Sequence, residues 1–308
     1  MKIAVMGSGG VGGYFGARLA QADCDVTFIA RGAHFAAIRE HGLKVESPLG
    51  DIHLPKVRVT DDPGTLEPVD LVLFSVKLWD TEAAAASIAP LFGPDTGIVS
   101  FQNGVQKDDI LRRMFGDKAV MGGVGYIATK IGRPGVIKHT GAMQRLVFGE
   151  YDGRRSARAE ALLDACKRGG INAELSGDIR REIWEKFVFL VGLSATTTTM
   201  RLPIGPIRAN AQTRAFLFDI MQEVVAVGRA HSVALAADYA KKRLAFCDGL
   251  PPEMTSSMHH DLDAGKPLEL AWLSGGVVEL GKAAGVPTPA NRAVNDILAL
   301  HVLGRKVS

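Results

Sequence analysis

Met1-Lys2-Ile3-Ala4-Val5-Met6-Gly7-Ser8-Gly9-Gly10-Val11-Gly12 is the stretch that decides the fold of this chain. Ile3 to Met6 is an apolar run of strand length, Gly7 to Gly12 is a glycine turn, and helix-compatible sequence follows from Tyr14. A strand, a glycine turn and a helix start make the construction that receives a dinucleotide pyrophosphate. The first glycine permits the tight turn, the second lets the backbone approach the phosphates, and the third lets helix pack on strand. Unpaired N–H groups at the positive end of the helix then meet the phosphates. Gly7, Ser8, Gly9, Gly10, Val11 and Gly12 are therefore the first cofactor-binding candidates.

Tyr14 to Ala22 has helical periodicity, and Asp25 to Ala30 is a β-branched and aromatic second strand, which completes a βαβ unit. The residue after that strand distinguishes the cofactors. An acidic side chain there binds the 2′-hydroxyl of NAD, whereas a basic one accommodates the 2′-phosphate of NADP. Here it is Arg31, followed by Gly32. The expectation is NADPH/NADP+, the alternative being an arginine that is merely solvated at a strand end.

With 308 residues, 47% of them hydrophobic and 22% charged, the chain is long enough for two domains and a large core. A formal charge of +3 with dispersed basic residues argues for neither nucleic acid nor a membrane as partner. Cys24, Cys166 and Cys247 are an odd number, far apart and without CxxC spacing, so reduced packing thiols are expected rather than disulfides or zinc. The opening apolar run stops after four residues at Gly7, too short for a signal-peptide core, and the expected location is the cytoplasm.

Short strands are expected between Lys44 and Thr60, and a buried strand from Asp70 to Lys77 has its polar residues at the carboxyl end, where open α/β sheets bind ligands. Lys77 is thus either a cofactor contact or a solvated side chain. Asp80 is read as the cap of an alanine-rich helix reaching Leu91, and Gly97 to Gly104 as a strand that ends at Asn103, again on the ligand edge. From Lys118 to Gly149 strands alternate with glycine clusters (Gly122-Gly123-Val124-Gly125 and Gly132-Arg133-Pro134-Gly135), read as turns of an antiparallel extension. A helix from Ser156 to Arg168 and a strand from Ile171 to Leu175 close the first domain, and Ser176-Gly177-Asp178 is the boundary. Beyond it the spacing predicts only helices: Ile179 to Met200, Thr213 to Ser232, Leu235 to Cys247, Pro267 to Ala284 and Asn291 to Leu303. The fold class is α/β: a Rossmann-type doubly wound domain over residues 1–177, followed by an all-α domain over 178–308.

A nicotinamide carries the hydride itself, so the protein need only orient the substrate and manage one proton. Lys186 stands among Trp184, Phe187, Val188, Phe189, Leu190 and Val191. A lysine so flanked is either desolvated, with a pKa lowered toward that of a general acid, or lies on the solvated stripe of an amphipathic helix. His259, His260 and Asp261 are adjacent on a helix, point in different directions and have no third ligand in register, so no metal site is expected.

The motifs together resemble the ketopantoate reductase (2-dehydropantoate 2-reductase) family over nearly the whole chain. They are Gly7-x-Gly9-x-x-Gly12, Ser75-Val76-Lys77, Gln102-Asn103-Gly104-Val105, Trp184-Glu185-Lys186, and Ser256-Ser257-Met258 with Glu269 twelve residues beyond Ser257. The resemblance implies that Lys186 protonates the C2 carbonyl oxygen while NADPH delivers hydride, and that Glu269 holds the active-site polar network near cofactor and substrate. It implies further that Ser257 binds substrate, Asn103 touches substrate and nicotinamide ribose, Arg31 and Lys77 hold the adenosine phosphate end, and Ala128 is a backbone cofactor contact.

One departure is large. The family carries asparagines four and eight residues after the lysine and another at the start of the next segment; this chain has Leu190, Ser194 and, by ungapped alignment, Ile204. Positions i, i+4 and i+8 share a helix face, so Leu190 and Ser194 belong to the expected substrate wall. The expected partner is a small 2-oxo acid, either ketopantoate or a more apolar relative. An opine or β-hydroxyacid type dehydrogenase and a non-catalytic NADP(H) sensor are the alternatives, and a homodimer is the expected assembly.

Overall fold

Ile3, Ala4 and Val5 are buried in the first strand, β1 (Lys2–Met6), of the computed structural model, which describes residues 1–305. The last three residues of the expected helical domain lie outside the described residues. A strand apolar on both faces is what the centre of a parallel sheet requires, because helices cover it on either side. From β1 the chain runs through α1 (Gly10–Gln21), β2 (Asp25–Ile29), α2 (Gly32–His41), β3 (Leu43–Glu46), β4 (Ile52–Leu54), β5 (Arg58–Thr60) and β6 (Leu71–Phe74). It continues through α3 (Thr81–Ser87), β7 (Gly97–Ser100), α4 (Lys107–Phe115), β8 (Val120–Arg133), β9 (Val136–Gly149), α5 (Ala157–Arg168) and β10 (Asn172–Leu175). Helices follow: α6 (Ile179–Met200), α7 (Ile204–Ala209), α8 (Ala211–Ala230), α9 (Tyr239–Asp248), α10 (Ser257–Asp263), α11 (Ser274–Ala284) and α12 (Pro289–Leu298).

Two compact units result, Met1–Asn103 with Lys107–Glu182, and Gly104–Gln106 with Ile183–Ser308. The first holds a ten-stranded sheet in the order β4-β3-β9-β8-β7-β6-β1-β2-β5, with β10 paired to β9. From β5 to β8 every neighbouring pair is parallel; β8 and β9 are antiparallel, as are β3 and β4. The strand order reverses around β1, which lies between β2 and β6, and a ligand crevice opens at the carboxyl end of strands at such a point. The second unit has its own core, in which Phe187, Val188 and Val191 of α6 pack with Leu217, Ile220, Met221 and Val224 of α8. No helix among the described residues is long and apolar enough to cross a membrane.

Several elements differ from the sequence reading. α1 begins at Gly10, not Tyr14, and α2, α4 and α7 are short helices that the periodicity does not announce. Gly122-Gly123-Val124-Gly125 is not a turn: it lies within the continuous strand β8, where a Cβ on Gly123 would come within 2.7 Å of Val99 and 2.8 Å of the Ser100 carbonyl oxygen. Gly123 serves close packing. The second cluster does turn the chain, at Pro134-Gly135 between β8 and β9. The segment from Pro267 to Ala284 is not one helix; a single 3-10 turn at Glu269–Trp272 is separated from α11 by Leu273, whose φ of −95° and ψ of −109° are not helical.

Candidate active site

The glycine turn is built as its chemistry demands. Gly7 has φ +90°, and a Cβ there would stand 2.7 Å from the Val76 nitrogen, so a side chain is excluded by conformation and by space. A Cβ on Gly12 would run into the Gly7 carbonyl oxygen and come 3.0 Å from Val5, which is how α1 packs onto β1. Gly9 differs: nothing lies within 4 Å of where its Cβ would be. It is the N-cap of α1, no side chain caps that end, and no acidic residue occupies the first turn. Open N–H groups at an unblocked helix start with room above Gly9 fit a pyrophosphate. Ser8 contributes backbone only, since its buried hydroxyl donates to the carbonyls of Val5 (3.2 Å) and Ile29 (3.0 Å).

Arg31, two residues beyond β2 at the N-cap position of α2, has its side chain 83% exposed, and its guanidinium is held 2.5 Å from the Asp80 carboxylate. Asp80 occupies the N-cap position of α3 but makes no capping bond, which corrects the expected role: its carboxylate is spent on Arg31. Exposed Lys77 lies with Nζ 5.4 Å from the centre of the Trp79 ring. Behind these residues a buried amide joins two loops. Gln102 Nε2 donates to the Val76 carbonyl (3.0 Å) and the Thr81 hydroxyl (2.8 Å), while its Oε1 accepts from the Ser100 hydroxyl (3.0 Å). It thereby fixes the segment carrying Lys77 against that carrying half-buried Asn103.

Lys107 supports the same edge from below. Its Nζ, fully buried, donates to the carbonyls of Ser100 (2.6 Å) and Gly123 (3.1 Å) and pairs with Asp108 at 3.3 Å. The β7 to β8 ladder covers only Ile98 with Val120 and Val99 with Met121, and the ammonium satisfies the carbonyls where those strands part. Burial holds the Lys107 amine below the usual lysine range, with Asp108 opposing. Tyr151 donates to Asp108 at 2.6 Å. The sequence assigns neither Gln102 nor Lys107 a role; the local signal for Lys107 is its place three residues after Gly104 and directly before Asp108 and Asp109. Ala128 is exposed at a register shift of β8 against β9, and its carbonyl accepts from Thr140 at 3.4 Å.

In the second unit Lys186 is half-buried on α6, and its sequence neighbours Trp184 and Phe187 are buried with their rings in edge contact, centroids 5.7 Å apart. Leu190, one turn on, is partly buried against the helical core; Ser194, a further turn on, is fully buried. The threonines that follow divide by hydrogen bonding. Thr196, Thr197 and Thr199 each return their hydroxyl to the carbonyl four residues back at 2.7 to 2.8 Å. The buried hydroxyls of Ser194 and Thr198 have no hydrogen-bond partner. Ser194 lies two turns beyond Lys186 at i+8, and Thr198 one turn further on, about 120° around the helix from Lys186. Ile204, by contrast, is a fully buried member of the core at the start of α7.

Ser256 caps α10, leaving Ser257 exposed at its first turn. His259 anchors that helix: one ring nitrogen lies 2.7 Å from the Thr197 carbonyl and the other 3.1 Å from Asp263. Its ring is therefore engaged, and among the described residues no three His, Cys, Asp or Glu side chains are grouped to hold a metal ion. Glu269 is buried in the 3-10 turn before α11. All three cysteines are buried free thiols, and burial pushes Cys166 up to about 12 and Cys247 up to about 11.

A mixed sheet whose parallel part carries a glycine turn at its reversal point, with a helical unit following it in the chain, is the architecture of an oxidoreductase of Rossmann type. Residues 3–153 match the family described as Ketopantoate reductase PanE/ApbA, and residues 178–301 match its C-terminal domain. The chain belongs to the ketopantoate reductase family. It is 30% identical over 303 residues to an uncharacterized oxidoreductase of Bacillus subtilis, which covers 98% of this chain and 99% of the relative. The crystal structure of a PanE/ApbA family ketopantoate reductase from Ralstonia eutropha superposes with a TM-score of 0.89 at 34% identity, covering 98% of both chains. That of 2-dehydropantoate 2-reductase from Geobacter metallireducens gives 0.91 at 31% identity, covering 97% of this chain and 99% of the other.

Proposed function

We propose that this protein reduces a small 2-oxo acid to the 2-hydroxy acid with NADPH, and that ketopantoate, reduced to pantoate for pantothenate biosynthesis, is the leading substrate. The observation that carries this reading is the uncapped start of α1 above Gly9, with basic Arg31 just beyond β2 at the start of α2. In it, the N–H groups of Gly7 to Gly12 hold the pyrophosphate, Arg31 and Lys77 the adenosine phosphate, Asn103 the nicotinamide ribose, and the Ala128 backbone a further part. Bound NADPH supplies the hydride. Lys186 gives its proton to the carbonyl oxygen and offsets the charge developing there. Glu269 orders the polar groups, and Asn103, Ser257, Leu190 and Ser194 bound the substrate.

A second reading, a more apolar 2-oxo acid, is favoured by Leu190 and Ser194, which stand where the resemblance leads one to expect amides. Mixing the protein with NADPH and a panel of 2-oxo acids while following absorbance loss tests both. Turnover of ketopantoate above all others supports the first, preference for a branched apolar acid the second, and no turnover of any member contradicts both. Lys186→Ala is expected to cut kcat by about 10²–10⁴, the usual worth of a positioned general acid; intact turnover would remove the proton-donor role.

A further inference from the structure

Between the glycine turn and the β8–β9 hairpin stands a side chain with no place in the reaction. His34, half-buried in the first turn of α2, has Nε2 2.9 Å from the carbonyl oxygen of Ser8, and its Nδ1 accepts from the backbone N–H of Gly135 at 3.0 Å. The second bond fixes the tautomer. Since Gly135 N–H can only donate, Nδ1 carries no proton, so Nε2 carries it and donates to Ser8. The ring is a neutral strut with both nitrogens used.

Its effect on the turn follows from peptide geometry. All peptide bonds are trans, and across a planar trans peptide the C=O and the following N–H point in opposite directions. Holding the Ser8 carbonyl toward α2 turns the Gly9 N–H away from α2. Gly9 is the uncapped N-cap of α1, with nothing within 4 Å of its Cβ position. The same hairpin touches the turn a second time, since a Cβ on Gly10 would stand 2.7 Å from the Thr129 carbonyl oxygen.

We propose that His34 is a positioning residue for cofactor binding, acting through the Ser8 carbonyl to aim the Gly9 N–H at a dinucleotide phosphate, and that it does so only as the neutral imidazole. The proposal rests on the reading that the glycine turn binds NADPH. What faces the ring from the turn and the hairpin is backbone, Ser8 C=O and Gly135 N–H. Arg31, three residues before His34, pairs with Asp80, and Arg133, two residues before Gly135, pairs with Glu46 at 3.2 Å. Burial holds the imidazole below its ordinary value of 6.5, with the Ser8 carbonyl opposing. The sign is then fixed. Above 6.5 the ring is neutral in folded and unfolded chains alike, and as pH falls below it the unfolded chain protonates first. Once the folded ring is protonated, an Nδ1–H confronts the Gly135 N–H, and the strut fails.

The test measures the dissociation constant of NADPH, by the fluorescence of its reduced ring, across this pH range for the full chain and for His34→Leu and His34→Gln. The native protein should bind with constant affinity above about pH 7 and progressively more weakly below 6.5. His34→Leu should bind roughly three- to tenfold more weakly at neutral pH, the worth of one net hydrogen bond, and lose that acid limb. His34→Gln, which can still donate to Ser8, should recover part of the affinity without the limb. Equal affinity in native protein and His34→Leu, or an acid limb that survives the substitution, overturns the proposal. Should the variants not fold, imidazole nitrogen NMR of the native protein decides: an Nε2–H tautomer titrating below 6.5 upholds it and an Nδ1–H tautomer sinks it. A native protein that fails to bind NADPH at all refutes the cofactor reading instead, so the two failures are distinct.

Discussion

The Asp80 carboxylate lies 2.5 Å from the Arg31 guanidinium across 49 residues of sequence, joining the end of β2 to the segment after β6. Arg31, which we propose selects the phosphorylated cofactor, is therefore already paired with a carboxylate of its own chain. Its side chain is 83% exposed, and exposed ion pairs contribute only about 0–1 kcal/mol, so the pair yields readily to a dianion. Arg31→Ala should weaken NADPH about tenfold or more while leaving NADH within about twofold, because only NADPH has the 2′-phosphate. Asp80→Asn should shift the NADPH to NADH affinity ratio upward by a few fold, by removing a carboxylate beside that phosphate. Equal losses of both cofactors in Arg31→Ala would remove its role in selectivity.

Gly9 and Gly12 separate binding from folding. Gly9 has φ −76°, which alanine adopts, and open space around its Cβ position. Gly9→Ala should unfold within about 2 °C of the native protein while its NADPH affinity falls more than about tenfold, since a methyl group would stand where phosphates approach. Gly12→Ala should lose both, because its methyl meets the Gly7 carbonyl and Val5, and such overpacking costs about 1–3 kcal/mol. Thermal melts and cofactor titrations of the two variants read this contrast; a destabilised Gly9→Ala would contradict it.

Why Gly7 to Gly12 were legible in sequence and much else was not is a matter of range. Strand, turn and helix start there are set by neighbours within a dozen residues, and so is the carboxyl-edge position of Lys77 and Asn103. Gly123 resembles a turn residue in sequence because the same residue type serves both tight turning and close packing. What makes it a packing residue, Val99 and the Ser100 carbonyl, lies on another strand. α2 buries only Ile38 fully, so its apolar spacing carries no helical signal. Asp80 looked like a cap because capping is local, whereas Arg31 comes from a distant part of the chain. The helix carrying Lys186, Leu190 and Ser194 is legible from spacing, while only the resemblance singles out the last two; the unpartnered hydroxyls of Ser194 and Thr198 are legible from neither, since their neighbours back-bond and they do not.

Leu190 and Ser194 should govern which acid is preferred. A buried hydroxyl without a partner costs about 1–3 kcal/mol, and a substrate group that reaches it recovers that cost. Leu190→Asn with Ser194→Asn restores the amides that the resemblance implies for ketopantoate. The double variant should raise kcat/KM for ketopantoate about tenfold or more relative to a branched acid lacking the hydroxyl, and should do so chiefly through KM. An unchanged ratio would mean that these positions do not meet the substrate.

Lys107 and Asp108 are 1% and 2% exposed, and the strength of their pairing is hidden from any single substitution. Lys107→Met leaves Asp108 as a buried carboxylate with only the Tyr151 hydroxyl, and frees the carbonyls of Ser100 and Gly123. Breaking one side of a buried pair costs about 3–5 kcal/mol, because the remaining charge is uncompensated. Adding Asp108→Asn removes that charge while retaining an acceptor for Tyr151, so the double variant should be more stable than Lys107→Met alone by about 1 kcal/mol or more. Urea midpoints at unchanged slope measure both values. If instead the second substitution deepens the loss, the ammonium's bonds to the two carbonyls, rather than its pairing with Asp108, are what hold β7 and β8 where they part.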